Sequence, residues 1–359
     1  MCSSQARVAS PAISVIVPVY NGGAAFDRCL AALASSEGPD WELIVVDDGS
    51  TDGSAAAARR AGARVLSTAQ ARSGPGHARN LGACVARAPL LCFIDADVLV
   101  RPDTIANFVA LFEGSDLTAA FGSYDDHPAH AGVLSQYRNL LHHFVHQTGH
   151  AVASTFWSGC GAVRRESFLA LGGFDGAYTR PSIEDIELGY RIVAANGRIR
   201  LAKHIQVKHL KRWTFWSILQ TDIRDRALPW TQLIARTRTM PKDLNLDTNS
   251  RLSAVCVYGL VMLLALSAWQ PLALLGLPVL VALLVMCNRH LYAFLLAQRG
   301  LVFLLRALPM HWLYFGYSAL IFSMGMAIGS LRYRGQLARA AAPRALVPVG
   351  SPTSDALTV

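Results

Sequence analysis

Charge is scarce in this 359-residue chain. Only 16% of its residues are charged, against about a quarter in an average soluble domain. Hydrophobic residues make up 52%, and the mean hydropathy is +0.31. That balance excludes a disordered chain, a fibrous one and a small disulfide-stapled domain, and it argues against a wholly soluble protein. The shortage is also uneven. From Arg251 onward there is no lysine, no glutamate and a single aspartate, Asp355, against eight arginines. This stretch carries +7 of the net charge of +9. The first 250 residues, with 25 basic and 23 acidic side chains, have the charge content of a globular domain.

Other absences narrow the class further. Seven cysteines are present, an odd number, and none forms a C-x-x-C pair; a reducing compartment fits better than a disulfide framework. The first fourteen residues, MCSSQARVASPAIS, lack the long apolar core of a signal peptide, so the front domain is expected to stay on the cytoplasmic side. No internal repeat is evident. The pI of about 9.4 raises the question of nucleic acid. The excess arginine lies beside apolar runs, however, where the positive-inside rule accounts for it, and no nucleic-acid partner is expected.

What is present is a strand–helix rhythm. Ile13–Val19 and Trp41–Asp47 read as short buried strands, Ala63–Leu66 and Pro89–Asp95 as two more, with helices over 23–36, 54–61 and 76–87 between them. Near-continuous apolar strands alternating with helices predict an α/β fold with a mostly parallel, Rossmann-like sheet covered on both faces. In such sheets ligands bind beyond the carboxyl ends of the strands. At those ends stand Pro18-Val-Tyr-Asn21, Asp47-Asp-Gly-Ser50 and Asp95-Ala-Asp97. The middle of the chain is less regular, with a His-bearing helix over 134–150 and a second acidic pair, Glu184-Asp185. His142, His146 and His150 share one helix face, a spacing that either binds metal or simply packs.

A basic run with Lys203, Lys208, Lys211 and Arg212 follows, then Trp213, Trp216 and Trp230 on an expected helical pattern, which is the composition of an interfacial segment. Leu252–Trp269 and Leu272–Cys287 read as a membrane hairpin and His311–Ser330 as a third span, while 291–308, interrupted by Arg299 and Arg306, fits an in-plane segment. Three spans leave the C-terminal arginines on the wrong side by the positive-inside rule, so the number of crossings stays open. The chain thus divides into a disordered lead (1–12), a catalytic domain (13–205), an interfacial amphipathic segment (206–250), a small α-helical transmembrane region (251–330) and a disordered tail (331–359).

The chemistry is carried by carboxylates. Asp95 and Asp97, two apart at the end of a buried strand, can share one divalent cation. Mg2+ or Mn2+ takes hard oxygen ligands and bridges carboxylate to phosphate. Asp47 or Asp48 can accept a hydrogen bond from a nucleobase N–H or a ribose hydroxyl, with the remaining acids serving as helix caps. Gly74-Pro-Gly-His-Ala-Arg79 superficially resembles a dinucleotide fingerprint, but Arg79 stands where the last glycine is required, which disfavours an oxidoreductase. Arg79 instead offers a donor fork toward base or phosphate.

Taken in order, Ser14-Val-Ile-Val-Pro-Val-Tyr-Asn21, Val46-Asp-Asp-Gly-Ser-Thr-Asp52, Ala78-Arg-Asn80, Asp95-Ala-Asp97 and Glu184-Asp185 resemble the family 2 glycosyltransferases of GT-A (nucleotide-diphospho-sugar transferase) fold, over about residues 13–210. The resemblance implies a nucleotide-diphospho-sugar donor and a metal-dependent, inverting transfer. The donor would lie against Pro18, Tyr20, Asn21, Asp47, Asp48, Arg79 and Asp95. The metal would be held by Asp95 and Asp97, and Asp185 would be the general base. Glu184 and Glu187 compete as acids that merely stabilise a helix start. Phe156–Ala162 falls where the family places its acceptor wall. There Trp157 either stacks on a sugar or packs, and Gly159 allows close approach. His209-Leu-Lys-Arg-Trp213 resembles the Q-x-x-R-W motif of membrane polysaccharide synthases with His in place of Gln. Arg212 is then a diphosphate contact, His209 a metal ligand or phosphate donor, and Trp213 part of the acceptor side. The expectation is a multi-pass membrane glycosyltransferase of a bacterial inner membrane, acting on a lipid or lipid-linked acceptor in the cell envelope. Its rivals are a polysaccharide-extending synthase and an inactive membrane scaffold of the same fold. Donor sugar, pathway and oligomeric state are not specified by these residues.

Overall fold

The computed structural model describes residues 10–237 and 248–333. Residues 1–9 of the expected lead and 334–359 of the expected tail lie outside the described residues. The front half alternates as its pattern predicts: β1 (Ile13–Val19), α1 (Gly23–Ala34), β2 (Trp41–Asp47), α2 (Ser54–Arg60), β3 (Arg64–Ser67), α3 (Pro75–Val85) and β4 (Leu90–Ile94). β1 pairs in parallel with β2 on one side and β4 on the other, and β3 extends the sheet beyond β2. All three polar strand ends therefore meet at one edge.

The less regular middle is also sheet. β5 (Val98–Leu99), α4 (Thr104–Phe112), β6 (Leu117–Tyr124), α5 (Val133–Thr148), β7 (Val152–Ala153), β8 (Cys160–Arg164), α6 (Arg165–Ala170), α7 (Glu184–Ala194) and β9 (Arg198–His209) complete it. β8 inserts antiparallel between β4 and β6, and β9 runs parallel to β6 before its end pairs with β5. The nine-stranded sheet has the order β3-β2-β1-β4-β8-β6-β9-β5, with β7 beside β9. Strand alternation sorts the core into two layers. Val15 and Val17 face Phe26 and Leu33 of α1 and Phe108 of α4. Ile16, Ile44 and Phe93 face Ala78 of α3, Phe168 of α6 and Leu188 of α7. Each large side chain so buried contributes about 1.5–3 kcal/mol.

Past β9 the chain turns helical: α8 (Phe215–Gln220), a π-helical turn (Thr221–Ala227), α9 (Leu228–Thr237), α10 (Thr248–Leu266), a 3₁₀ turn (Pro271–Gly276), α11 (Leu277–Cys287) and α12 (Arg289–Tyr333). Thr214 and Ser217 form a capping box that starts α8. The three tryptophans do not share a helix face. Trp213 is buried ahead of α8, Trp216 on α8 is 75% exposed, and Trp230 on α9 donates its indole N–H to Tyr190 Oη at 2.9 Å. Among the described residues two helices, Thr248–Leu266 and Arg289–Ile328, are long and apolar enough to cross a membrane, with a shorter apolar stretch, Pro271–Cys287. Only 11% of the apolar window of α10 is buried, so its hydrophobic surface faces outward.

The segment 291–308 and the third expected span are one helical element, broken at Gly300 (φ 80°, ψ 176°) and carrying Pro309. Its first part packs on the front domain: Leu291, Tyr292 and Leu295 join Tyr137, Leu140 and Leu141 of α5 in one apolar cluster. Arg299 extends the contact, donating to Gln136 Oε1 at 2.6 Å and to the Asp126 carbonyl at 3.1 Å.

Candidate active site

The loops after β1 and β2 brace each other. Asn21, held at φ 49°, accepts from the Thr51 amide at 2.7 Å and donates its own amide to Ser50 Oγ at 2.9 Å. Asp47 accepts the Ser50 amide at 3.0 Å and closes the turn. Asp48 organises the next loop: Thr68 Oγ1, the Ser73 amide and the Gly74 amide all donate to it at 2.8–2.9 Å. Gly74 has φ +95°, and a Cβ there would lie 2.7 Å from the Thr179 carbonyl, so the start of α3 demands glycine. Tyr20, on the opposite lip, receives Arg72 Nε on its hydroxyl at 2.8 Å, with the guanidinium 4.9 Å above the ring.

Arg79 is buried at the centre. It donates to Asp95 Oδ1 at 2.6 Å and to Glu184 Oε1 at 3.0 Å, tying the end of β4 to the start of α7. Its fork is therefore engaged by carboxylates. The Asp95 amide donates to the Gly159 carbonyl at 3.1 Å, which sets the wall 157–159 against the end of β4. A Cβ on Gly159 would come within 2.6 Å of the Trp157 indole; glycine lets that ring lie across the wall. Asp97 meets His209 Nε2 at 3.3 Å. Burial opposes the charge of Asp97, but the His209 hydrogen bond and the positive charges of His209 and Lys211 outweigh it and hold the carboxyl below its usual range. Asp185, at the start of α7, is tied to the same wall segment, 157–159. It accepts from the Ser158 amide at 3.1 Å and hydroxyl at 3.3 Å on one oxygen, and from the Ile186 amide at 2.8 Å on the other. Burial pushes its pKa up, and burial together with the neighbouring Asp185 charge does the same to Glu184.

These groups line one cavity of about 1510 Å³. Pro18, Tyr20, Asn21, Asp48, Arg79, Asp95, Asp97, Trp157, Gly159, Glu184, Asp185, His209 and Trp213 are on its wall; Asp47 and Arg212 are not. Lys211, next to Arg212, is on the wall instead, its ammonium 4.2 Å from the Trp213 ring centre. The His-bearing helix contributes His142 and His146, ring centres 4.1 Å apart and packed against Trp157, while His150 is exposed and outside this cavity's lining. Burial keeps both His142 and His146 neutral, the latter with a pKa lowered to about 4. Tyr124 stacks between His142 and His209, with centroids 4.4 and 4.5 Å away. Tyr124 and Arg226 also line the cavity without belonging to any sequence motif, and Lys211 does so from a position inside the His209–Trp213 motif to which that motif assigned no role.

Among the described residues no three His, Cys, Asp or Glu side chains form a metal cage. Asp95 and Asp97 nevertheless fit a divalent cation of the kind completed by phosphate. They are hard oxygen donors on one wall, with about a third of each side chain still open to the cavity. Bound there, the ion would neutralise charge on a departing diphosphate.

Residues 14–172 match the model of the family described as Glycosyl transferase family 2. Validoxylamine A glucosyltransferase of Streptomyces hygroscopicus subsp. limoneus is 31% identical over 223 residues, covering 51% of this chain and 48% of that protein. An uncharacterized Mycobacterium tuberculosis protein is 38% identical over 120 residues, 32% of this chain and 36% of its own length. The chain thus spans about half the length, or less, of these curated relatives. Among solved structures, a mannosyltransferase from Pyrobaculum calidifontis, in complex with GDP-Man and Mn2+, superposes with a TM-score of 0.53 over 91% of this chain and 89% of its own, at 18% identity, a likeness of fold alone. The fold, the order of the acidic motifs and the matched segment agree: residues 14–172 belong to glycosyl transferase family 2, on a GT-A fold followed by apolar helices.

Proposed function

We propose that this protein is a membrane-anchored, inverting glycosyltransferase that moves a sugar from a nucleotide diphosphate to a hydroxyl of a lipid or lipid-linked acceptor. The observation carrying this reading is the extent of the cavity. It holds Asp95, Asp97 and Asp185, then continues between α10 and α12 along Val255, Met262, Ala319 and Phe322. A soluble acceptor has no need of such walls. A catalytic domain on the cytoplasmic side fits Arg251 and Arg289, which flank the expected membrane hairpin.

In this reading Tyr20, Arg72 and Asp48 form the nucleotide end, and Mg2+ or Mn2+ at Asp95 and Asp97 supplies charge neutralisation to the diphosphate. Arg79 aligns Asp95 through their 2.6 Å ion pair. Asp185, anchored by Ser158 and Ile186, retains a lone pair for the acceptor proton. The acceptor oxygen attacks the anomeric carbon, the bond from that carbon to the diphosphate oxygen breaks, and the proton passes to Asp185. Attack opposite the leaving group inverts the centre. His209 keeps Asp97 ionised; Trp157 and Glu184 form the acceptor-side wall. A donor screen with membranes, followed by mass spectrometry of the lipid extract, tests the proposal: a glycolipid of inverted anomeric configuration is expected, and donor consumption yielding only soluble products would overturn the lipid acceptor.

A further inference from the structure

The cations on the cavity wall divide into two sets. Arg79 is neutralised by Asp95 and Glu184, Arg138 by Asp222, and Arg72 is committed to Tyr20. Lys211, Arg226 and Arg251 also line the cavity, and among the described residues none of them has an acid in an ion pair. Arg180, which precedes α7 on the cavity lining, likewise has no ion pair among the described residues. Arg226 is the informative member. It sits on the π-helical turn, a distortion common at functional sites. Asp222 on the same turn is clamped by the Arg138 guanidinium and by Tyr317 Oη of α12 at 2.5 Å. Arg226 is left facing the cavity, where its charge acts on Asp185, Tyr124, His142 and His146. Lys211, by contrast, acts on Asp97, at the metal end. Asp225, the adjacent acid, whose pKa is raised by burial, forms no ion pair with Arg226 among the described residues.

The cavity wall thus combines a carboxylate base, an unpaired guanidinium whose charge reaches that carboxylate, a second arginine (Arg251) at the start of α10, and apolar residues of α10 and α12. A ligand matching that set has a hydroxyl, an anionic group and a hydrocarbon chain. We propose that the acceptor is a phosphate-bearing lipid with a free hydroxyl, whose phosphate is bound by Arg226 and whose chain lies between α10 and α12. This rests on the glycosyltransferase reading above and names its acceptor class. The hydroxyl requirement comes from Asp185, since a phosphate oxygen acting as nucleophile carries no proton to remove at neutral pH. Arginine suits the task, because its fork matches phosphate geometry and keeps its charge beside a membrane.

The test uses the full chain in detergent, with native mass spectrometry to read bound lipid and calorimetry to read UDP and GDP. Phosphatidylglycerol, which has phosphate and free hydroxyls, is expected to be retained about tenfold better than diacylglycerol, which has hydroxyl but no phosphate. R226Q is expected to abolish that preference and leave nucleotide affinity unchanged, and R226K to retain most of the preference, which guards against a folding defect. Inorganic phosphate at equal concentration is expected not to displace the lipid. Equal retention of the two lipids, or an unchanged preference in R226Q, overturns the proposal. Loss of nucleotide binding in R226Q makes the arginine a clamp on the donor diphosphate and also overturns it; displacement by inorganic phosphate reduces the site to a simple anion site. If the native chain bound neither UDP nor GDP nor any other nucleoside diphosphate, the glycosyltransferase reading itself would fail. Equal retention of the two lipids by the native chain, with its nucleotide binding intact, sinks only this inference.

Discussion

Asp185 combines a raised pKa with three hydrogen bonds that fix its orientation. Asp185→Asn keeps the shape and most of those bonds but removes the basicity. Sugar transfer is expected to fall by roughly 10²–10⁴-fold, while nucleotide-sugar binding measured by calorimetry stays near the native value. The sign for stability is opposite. A carboxyl whose folded pKa lies above its unfolded one favours folding fully below the unfolded pKa, and loses that contribution as pH rises through the folded value. At pH 7 the ionised group is a burden, so the amide variant is expected to melt no lower than the native protein, and activity of the native enzyme to rise with pH through a value above the ordinary aspartate range. Near-native transfer by Asp185→Asn would move the role to Glu184 or Glu187. Asp97 behaves the other way, since its carboxyl is held ionised by His209 and Lys211. Asp97→Ala is expected to abolish transfer with folding intact; full activity of the native enzyme in excess EDTA would remove the metal from the proposal.

At the scale of elements, the π-helical turn is the joint between the nine-stranded α/β domain and the apolar helices. Asp222 is buried there, with Arg138 from α5 and Tyr317 from α12 as partners. Removing one member of a buried pair leaves the other charge stranded, at a cost of about 3–5 kcal/mol. Asp222→Ala is therefore expected to lower the melting temperature and to open the 221–237 region to protease, as read by calorimetry and limited proteolysis. Tyr317→Phe, which removes one hydrogen bond and no charge, should be far milder; equal effects would mean that Arg138 is not what Asp222 restrains. The turn also shows where sequence reading stops. The i, i+3/i+4 pattern that identifies an α-helix has no counterpart for a π turn, so neither Asp222 nor Arg226 stood out. β9 was hidden for another reason: Lys203 and Lys208 made its end read as part of a basic run with Lys211 and Arg212, and its strand character comes from pairing with β6, far away in sequence. β1, β2 and β4 were legible because their Val, Ile and Leu runs are buried on both faces and stop at polar residues, acids in β2 and β4. The motif His209–Trp213 was legible in place but not in orientation. One residue of register as the chain leaves β9 puts Lys211 on the cavity wall and Arg212 off it.

The whole molecule is held together by a contact that composition could not reveal, the seat of α12 on α5. Apolar runs after Arg251 were readable as membrane-type helices from the missing charge alone. That Leu291, Tyr292, Leu295 and Phe303 would instead share a cluster with Tyr137, Leu140, Leu141 and Trp213 depends on tertiary placement. This has a consequence for dissection. Truncation after Asn249 removes both helices that, among the described residues, are long and apolar enough to span a bilayer, except the first two residues of α10. The shortened chain is expected to be released by carbonate, with weak residual adhesion through Trp216 and Phe215, which are exposed on α8. It should not be a well-behaved soluble domain, however. Tyr137, Leu140 and Leu141 would face water, and at about 1.5–3 kcal/mol for each large apolar side chain the loss is comparable to the whole stability of a typical domain. Arg138 and Asp222 would also lose Tyr317. The expected result is a lower melting temperature and a tendency to aggregate, both relieved by ending the chain after α12 instead. If the truncated protein stays in the carbonate-resistant fraction, the apolar helices are not the anchor. If it is released and melts at the native temperature, the seat of α12 on α5 contributes nothing to folding, and the catalytic domain is independent of the helices that follow it.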